Sequence, residues 1–236
     1  MPAGSQAEDV AVVIPARNEA DRIAATVMAA AGLSGVGLVV VVDDGSRDAT
    51  AAVARRAGAV VTRHARNRGK GAAMQTGVDA VSLVDQRERR EQPRHLLFLD
   101  ADLAGSAAQA GPLAGPVRAG TADMTIAVFA TTVKLGGHGL VTGLSGAGIR
   151  RATGWRPAQP LNGQRCLTRA AFEAGRPLAH GWGVETALTI DLLRKGLRIK
   201  EVEVALAHRA TGTGLRAQLH RASQLADVAR ALATRP

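Results

Sequence analysis

Cysteine, aromatic residues and long apolar runs are all scarce in this chain of 236 residues. Its one cysteine, Cys166, excludes an internal disulfide and a multi-cysteine zinc site, and we expect it to pack as a small apolar residue. Aromatic residues make up 2% of the chain and tyrosine is absent, which leaves little surface for base stacking. No apolar run approaches the about 20 residues of a membrane span, and the first nine residues lack a signal-peptide pattern. These absences predict a cytoplasmic protein, with peripheral contact at the inner membrane face left open.

Acidic residues are outnumbered by basic ones, and the formal net charge is +10. Nucleic acid, a phosphorylated substrate and an anionic membrane surface are the three kinds of partner that such a charge suits. Scattered arginines and few aromatic residues argue against specific nucleic-acid binding. An acceptor that carries phosphate would instead be met by Arg150, Arg151, Arg165 or Arg169. A lipid phosphate would bring the basic C-terminal helix to a membrane face.

Apolar segments alternate between strand and helix periodicity along a chain long enough for one α/β domain. Strands are predicted at Val10–Ile14, Leu38–Val42, Ala59–Thr62, Leu96–Leu99, Met124–Val128 and Ile199–Val204. Helices are predicted at about Arg22–Ala31, from Ser46 or Asp48 through Ala57, and at Gly71–Val84, Leu140–Thr153, Val184–Lys195 and Leu215–Ala233, with Asp85–Arg94 as an exposed loop. This alternation predicts a mostly parallel sheet flanked by helices, with a helical C-terminal part.

Carboxylates follow two of the predicted strands. Asp100 and Asp102 come after Leu96–Leu99, and Asp44 comes after Leu38–Val42. Alternate residues of an extended chain point the same way, so Asp100 and Asp102 can lean toward one cation. Mg²⁺ typically takes one or two protein carboxylates and completes its shell with phosphate oxygens and water. Because ligands of parallel sheets bind outside the carboxyl ends of the strands, a metal-bound nucleotide diphosphate fits this edge, and an Asp-initiated turn is the alternative.

Two further segments suit a nucleotide. In Pro15-Ala16-Arg17-Asn18-Glu19 a nucleoside could rest on the backbone, with Glu19 accepting from ribose hydroxyls and Asp44 accepting from the N3–H of uracil. In Asn67-Arg68-Gly69-Lys70-Gly71, glycines allow close approach, Lys70 supplies charge, and a helix N-terminus follows. Solvated loops are the alternative for both segments.

The distal half offers Glu185 and His208. Glu185 lies at the start of a predicted helix, where it could cap the helix, bind an acceptor hydroxyl or deprotonate it. His208 could be a metal ligand, an acid–base group or a buried structural residue.

Two rival functions stay open at this point, a nucleotidyltransferase and a non-catalytic binding protein. No Gly-x-Gly-x-x-Gly follows the first strand and no Walker P-loop is present, so a dinucleotide or P-loop site is disfavoured. A nucleotidyltransferase would need a glycine-rich basic loop straight after the first strand, where Pro15–Glu19 has no glycine. A non-catalytic nucleotide-binding or nucleic-acid-binding protein is the remaining alternative.

Four blocks, in the order and spacing in which they occur, resemble the family 2-type glycosyltransferases of the GT-A fold. They are Val12-Val13-Ile14-Pro15-Ala16-Arg17-Asn18-Glu19, Val42-Asp43-Asp44-Gly45-Ser46-Arg47-Asp48-Ala49-Thr50, Asn67-Arg68-Gly69-Lys70-Gly71 and Phe98-Leu99-Asp100-Ala101-Asp102-Leu103. The nearest branches are the polyprenyl- or dolichol-phosphate sugar synthases and the glucosyl-3-phosphoglycerate synthases. Three distal segments of this chain also resemble the glucosyl-3-phosphoglycerate synthases: Gly163-Gln164-Arg165, Gly181-Trp182-Gly183-Val184-Glu185-Thr186 and His208-Arg209.

The resemblance implies a single domain that moves a hexose from a nucleotide-sugar, UDP rather than GDP, with Mg²⁺ or Mn²⁺ on the diphosphate. Residues 1–130 would form the nucleotide-sugar-binding half and residues 131–236 the acceptor-binding half. The acceptor would be a phosphoglycerate-like molecule or a polyprenyl phosphate, and a homodimer is left open. The resemblance implies that Pro15, Ala16, Arg17 and Glu19 cradle the nucleoside, that Asp44 faces the base, and that Lys70 lies near the base and diphosphate. Asp100 would contact sugar or metal, Ala101 would help to bind the nucleotide-sugar, and Asp102 and His208 would bind the metal. Glu185 would face the sugar or acceptor, and Glu185 and Asp100 are the implied catalytic residues.

Overall fold

The computed structural model describes residues 9–129, 139–206 and 215–235, and only the helical backbone for residues 215–221. Its strands are β1 (Val10–Ala16), β2 (Val36–Asp43), β3 (Val60–Arg63), β4 (His95–Phe98), β5 (Met124–Phe129), β6 (Arg165–Leu167) and β7 (Ile199–Val204). Its α-helices are α1 (Ile23–Ala31), α2 (Thr50–Arg56), α3 (Lys70–Arg87), α4 (Ala114–Arg118), α5 (Gly139–Thr153), α6 (Arg169–Ala174), α7 (Val184–Arg194) and α8 (Leu215–Ala233). Two 3-10 helices cover Ala104–Leu113 and Gly181–Gly183.

One seven-stranded sheet organises the chain, in the order β3-β2-β1-β4-β6-β5-β7. The β1–β2, β1–β4, β2–β3 and β5–β7 pairs are parallel, and β6 runs antiparallel between β4 and β5. The prediction of a mostly parallel sheet flanked by helices is therefore confirmed. Strands from both halves of the chain share this sheet, since β6 and β7 follow residue 130.

Apolar packing covers both faces of the sheet. Alternate residues of β1 point to opposite faces, as a period of two requires: Val10, Val12 and Ile14 pack with α1, while Ala11 and Val13 pack with α3 and α7. A Cβ added at Gly77 of α3 would lie 2.3 Å from a methyl of Val13. Glycine at this position lets α3 lie directly on β1.

Several elements differ from the prediction. The strand β6, the helices α4 and α6 and the 3-10 helix Gly181–Gly183 were not predicted, because segments of three to six residues are too short to show a period. The ten-residue 3-10 helix Ala104–Leu113 was not predicted either, because its glycines and Pro112 are typical of a loop. The predicted exposed loop Asp85–Arg94 is wrong at both ends, since Asp85 lies in the last turn of α3 and both residues are buried. Arg94 and Arg169 both pair with the Asp85 carboxylate, which lets these charges leave water.

Among residues 9–129, 139–206 and 215–235, no helix has the length and apolar content needed to cross a bilayer.

Candidate functional site

The carboxyl ends of β1, β2 and β4 meet at one edge of the sheet because these strands run parallel. Pro15 and Ala16 pair with Val42 and Asp43 at the end of β2. On the other side of β1, the backbone N–H of Leu99 donates to a β1 carbonyl at 3.2 Å, one residue before Asp100. The predicted site residues of three separate strands therefore lie along a common edge.

The loop after β1 is held against the loop after β2. The Asn18 backbone N–H donates to the Ser46 hydroxyl at 2.9 Å, and that of Glu19 donates to the Thr50 hydroxyl at 2.9 Å. Asn18 has a φ of 56°, a left-handed conformation that asparagine adopts more readily than most residues. The predicted nucleoside cradle is thus a fixed turn, with Arg17 exposed and Ala16 buried.

Asp44 organises the loop that precedes α3. Its carboxylate, in a residue that is 5% exposed, accepts from the backbone N–H groups of Arg68 and Gly69, both at 2.8 Å. The Nδ1 atom of His64 lies 2.7 Å from the same carboxylate. Asp44 therefore supplies negative charge at the N-terminus of α3, the place where the sequence predicts a phosphate. By holding Arg68 and Gly69 it also positions Lys70, the first residue of that helix. Its contact with a nucleotide base stays a prediction.

Lys70 lies between two of the predicted site carboxylates. Its ammonium is 2.8 Å from Oδ1 of Asp100 and 2.9 Å from Oε1 of Glu185. The Gln164 side-chain amide donates to the other Asp100 oxygen at 2.7 Å. Burial by itself would lower the pKa of Lys70, but the two carboxylates raise it above the ordinary lysine value. We call Lys70, Asp100, Glu185 and Gln164 the lysine cluster.

Because Gly163 has no side chain, there is room beside it for the Lys70 ammonium. A Cβ added at Gly163 would lie 2.3 Å from Nζ of Lys70, 3.2 Å from Asp100 Oδ1 and 3.4 Å from Glu185 Oε1. A side chain at this position would therefore displace the ammonium from both of its partners.

Arg165 supports the cluster from the interior. The residue is 1% exposed, and its guanidinium donates to the backbone carbonyls of Pro160, Asn162 and Glu185 and to the Thr189 hydroxyl. Burial lowers the pKa of Arg165 to about 10, opposed by nearby carboxylates that include Glu185. The expectation that Arg165 meets an acceptor phosphate is wrong, because its donors serve the loop before β6 and the first turn of α7.

The segment after β4 is fixed through its backbone. The Thr26 hydroxyl of α1 donates to the Ala101 carbonyl at 2.8 Å, and Arg22 donates to the Asp102 carbonyl at 3.3 Å. The half-buried Asp102 has no hydrogen bond or ion pair to its carboxylate from the rest of the described structure. No group of three metal-ligating side chains occurs within residues 9–129, 139–206 and 222–235, and the predicted ligand His208 lies outside the described residues.

Three contributors to the site were not assigned roles by sequence reasoning. Gln164 and Gly163 belong to a motif that the sequence does show, but their contact with Asp100 and Lys70 depends on β6 pairing beside β4. His64 carries no sequence signal, because one histidine after a strand is as consistent with a structural role as with a functional one.

Known proteins resemble this chain in sequence and in fold. A family model described as Glycosyl transferase family 2 matches residues 11–142. Uncharacterized protein MJ1222 of Methanocaldococcus jannaschii is 37% identical over 95 residues, which are 40% of this chain and 36% of that protein. Glycosyltransferase AglJ of Haloferax volcanii is 27% identical over 208 residues, which are 86% of this chain and 65% of AglJ. The chain thus spans less than two thirds of the length of both relatives.

Solved structures extend the likeness to nearly the whole chain. Glucosyl-3-phosphoglycerate synthase from Mycobacterium tuberculosis, in complex with Mn²⁺, uridine diphosphate and glucosyl-3-phosphoglycerate, superposes with a TM-score of 0.76 at 26% identity. The match covers 96% of this chain and 79% of the synthase. The predicted GT-A fold is confirmed, and this chain belongs to glycosyl transferase family 2.

Proposed function

We propose that the protein is a metal-dependent glycosyltransferase that moves a hexosyl group from a UDP-sugar to a small acceptor carrying phosphate. The observation that carries this proposal is the lysine cluster, in which the Lys70 ammonium is held between Asp100 and Glu185 at the sheet edge. Asp100 is two residues before Asp102, whose carboxylate has no partner within the described structure. A fixed cation at the same sheet edge as a carboxylate that is free to bind metal suits a diphosphate whose negative charge grows during reaction.

The donor half of the site has the geometry to hold a nucleotide. Pro15, Ala16, Arg17 and Glu19 belong to the turn that we assign to the nucleoside, which is held by hydrogen bonds to Ser46 and Thr50. The Asp44 backbone N–H donates to the Ala16 carbonyl of this segment at 2.9 Å. The synthase from Mycobacterium tuberculosis, crystallised with UDP and UDP-glucose, supports uridine as the nucleoside.

A divalent cation fits the donors that are present. Mg²⁺ and Mn²⁺ accept a single protein carboxylate when phosphate oxygens and water fill the other positions, and the Asp102 carboxylate has no competing partner within the described chain. Asp102 would hold the cation together with His208. When bound, such a cation offsets charge on a diphosphate leaving group.

The residues of the lysine cluster have separate tasks. Lys70 supplies positive charge close to the diphosphate, and Asp100 keeps the ammonium in place. Glu185 is 5% exposed and already accepts from Lys70, which favours orienting the lysine and the sugar over removing an acceptor proton. A retaining reaction, which does not require a carboxylate base at the acceptor, is the better match to this arrangement.

The acceptor class rests on charge and on the structural relatives. The net charge is +10, and Arg150 and Arg151 lie exposed near the end of α5. The synthase from Mycobacterium tuberculosis is crystallised with phosphoglyceric acid. We therefore place a small phosphorylated acceptor ahead of a lipid phosphate.

Turnover of UDP-hexose with and without Mn²⁺ tests the proposal. Three acceptors are compared: 3-phosphoglycerate, a polyprenyl phosphate, and glycerate as the matched molecule without phosphate. We expect UDP release that needs Mn²⁺ and 3-phosphoglycerate. Preference for polyprenyl phosphate would move the acceptor to a lipid, preference for glycerate would contradict the phosphate requirement, and pyrophosphate release from a nucleoside triphosphate would indicate a nucleotidyltransferase.

A further inference from the structure

The turn before α7 is covered by the C-terminal helix. The Trp182 backbone N–H donates to Oδ2 of Asp227 in α8 at 3.1 Å. A Cβ added at Gly181 would lie 2.0 Å from that same oxygen, and one added at Gly183 would lie 2.6 Å from the Asp227 carbonyl oxygen. The two glycines therefore allow α8 to approach the backbone of the turn, and the Asp227 carboxylate occupies the space so left.

This contact caps the 3-10 turn that leads into α7. Helices begin with backbone N–H groups that have no partner within the helix, and a carboxylate at that end is favourable. Neither the 3-10 turn nor α7 has a side-chain cap from its own N-terminal residue. Asp227 supplies one from another helix, at the start of the segment that runs directly into α7.

The capped turn is adjacent to the lysine cluster. Glu185, in the first turn of α7, follows Gly183 by two residues and contacts Lys70 at 2.9 Å. The first turn of α3, which carries Lys70, packs on the chain just before the Gly181–Gly183 turn, since a Cβ at Gly71 would lie 2.5 Å from the Ala179 carbonyl oxygen. A shift of the turn would therefore move Glu185 relative to Lys70.

We propose that Asp227 is a positioning residue: by capping the Gly181–Gly183 turn from α8, it fixes Glu185 where it holds the Lys70 ammonium. Its effect on sugar transfer rests on the proposed function, whereas its effect on Lys70 does not depend on any reaction.

A second contact of α8 provides a matched control. Arg235, just after α8, donates to both carboxylate oxygens of Asp191 in α7 at 2.7 Å. Arg235→Ala loosens the docking of α8 on α7 far from Glu185. Asp227→Ala removes the cap, and Asp227→Asn keeps a side-chain oxygen that can accept from Trp182.

The test measures how fast an amine-reactive ester acylates Lys70 in the folded protein, by peptide mass spectrometry. In the wild type the ammonium is held by two carboxylates at 2.8 and 2.9 Å and its side chain is only 16% exposed, so acylation should be slow. We expect Asp227→Ala to speed acylation of Lys70 at least fivefold, with Asp227→Asn and Arg235→Ala within twofold of the wild type. Steady-state kinetics should show a lower kcat for Asp227→Ala, restored in Asp227→Asn.

The outcomes separate the two proposals. Equal acylation of Lys70 in Asp227→Ala and Arg235→Ala would mean that Asp227 only docks α8, and would overturn the inference. If Asp227→Ala does not fold, Asp227→Ser is the substitute, and failure of both to fold would also overturn it. Absence of UDP-hexose turnover in the wild type would refute the proposed function, while the acylation result would still decide the role of Asp227.

Discussion

Adding a single methyl group at Gly163 should lower the enzymatic activity while the protein still folds. The Cβ of Gly163→Ala would lie 2.3 Å from Nζ of Lys70, more than 1 Å closer than ordinary van der Waals contact. The atom that must move is the end of a flexible side chain, and Gly163 does not have a left-handed backbone conformation, so alanine is compatible with the fold. The ammonium then leaves the contacts of 2.8 and 2.9 Å that it makes with Asp100 and Glu185.

The size of the effect follows from the contacts that are lost. A hydrogen bond to a charged group contributes about 1.5–3 kcal/mol. If one such contact acts in the transition state, kcat/KM for the UDP-sugar should fall about 10- to 150-fold. Initial rates of UDP release at several UDP-hexose concentrations measure this ratio.

The control is the same substitution where there is room for the methyl group. Gly143 lies on the exposed face of α5, and a Cβ there meets no atom within 4 Å. Gly143→Ala should leave kcat/KM unchanged and raise stability by about 0.5–1 kcal/mol, because alanine is the better helix former. A folded Gly163→Ala protein with the kcat/KM of the wild type would refute the role given to the Lys70 contacts.

Three further predictions concern buried groups. The pKa of Lys70 is raised in the folded state above the ordinary 10.5, so its stabilising effect is complete below pH 10.5 and is lost progressively as the pH rises from there through the higher pKa of the folded state. The difference in unfolding free energy between wild type and Lys70→Met should therefore be constant below about pH 10.5 and narrow above it, and a difference that stays constant above that pH would contradict this. Burial raises the pKa of the Cys166 thiol to about 12, so a disulfide reagent at pH 8 should label the unfolded chain and leave the folded protein unlabelled. Asp85→Ala removes the buried carboxylate that Arg94 and Arg169 share and leaves Arg94 with Glu88 alone, so it should cost about 3 kcal/mol in urea unfolding. Asp79→Ala breaks an exposed pair and should cost under about 1 kcal/mol; equal losses from the two substitutions would show that burial of the pair does not decide its contribution.

The parallel part of the fold is predictable because its strands are apolar and its helices are regular. Val39–Val42 is a β-branched run, and it is buried in a strand with neighbours on both sides. The antiparallel strand β6 is not predictable in this way, because Arg165 in its three residues reads as a surface charge until its buried carbonyl partners are known.

The site is predictable in its position and less so in its contacts. Asp44, Asp100 and Asp102 follow strand ends, and the topology places these ends at one edge. That Lys70 pairs with Asp100 and Glu185 depends on tertiary contacts between α3, the end of β4 and α7. Sequence separations of 30 residues and more carry no local signal for such a pair. The contact of Asp227 with the turn before α7 cannot be predicted from the sequence for the same reason, since α8 meets that turn only in the folded chain.

Calorimetric titration of UDP into the protein, with and without Mn²⁺, tests the metal–diphosphate site most directly. We expect Mn²⁺ to tighten UDP binding at least tenfold in the wild type and to have little effect in Asp102→Asn, whose amide is a poorer ligand for a hard cation. Equal tightening by Mn²⁺ in both proteins, or no UDP binding in either, would contradict the site.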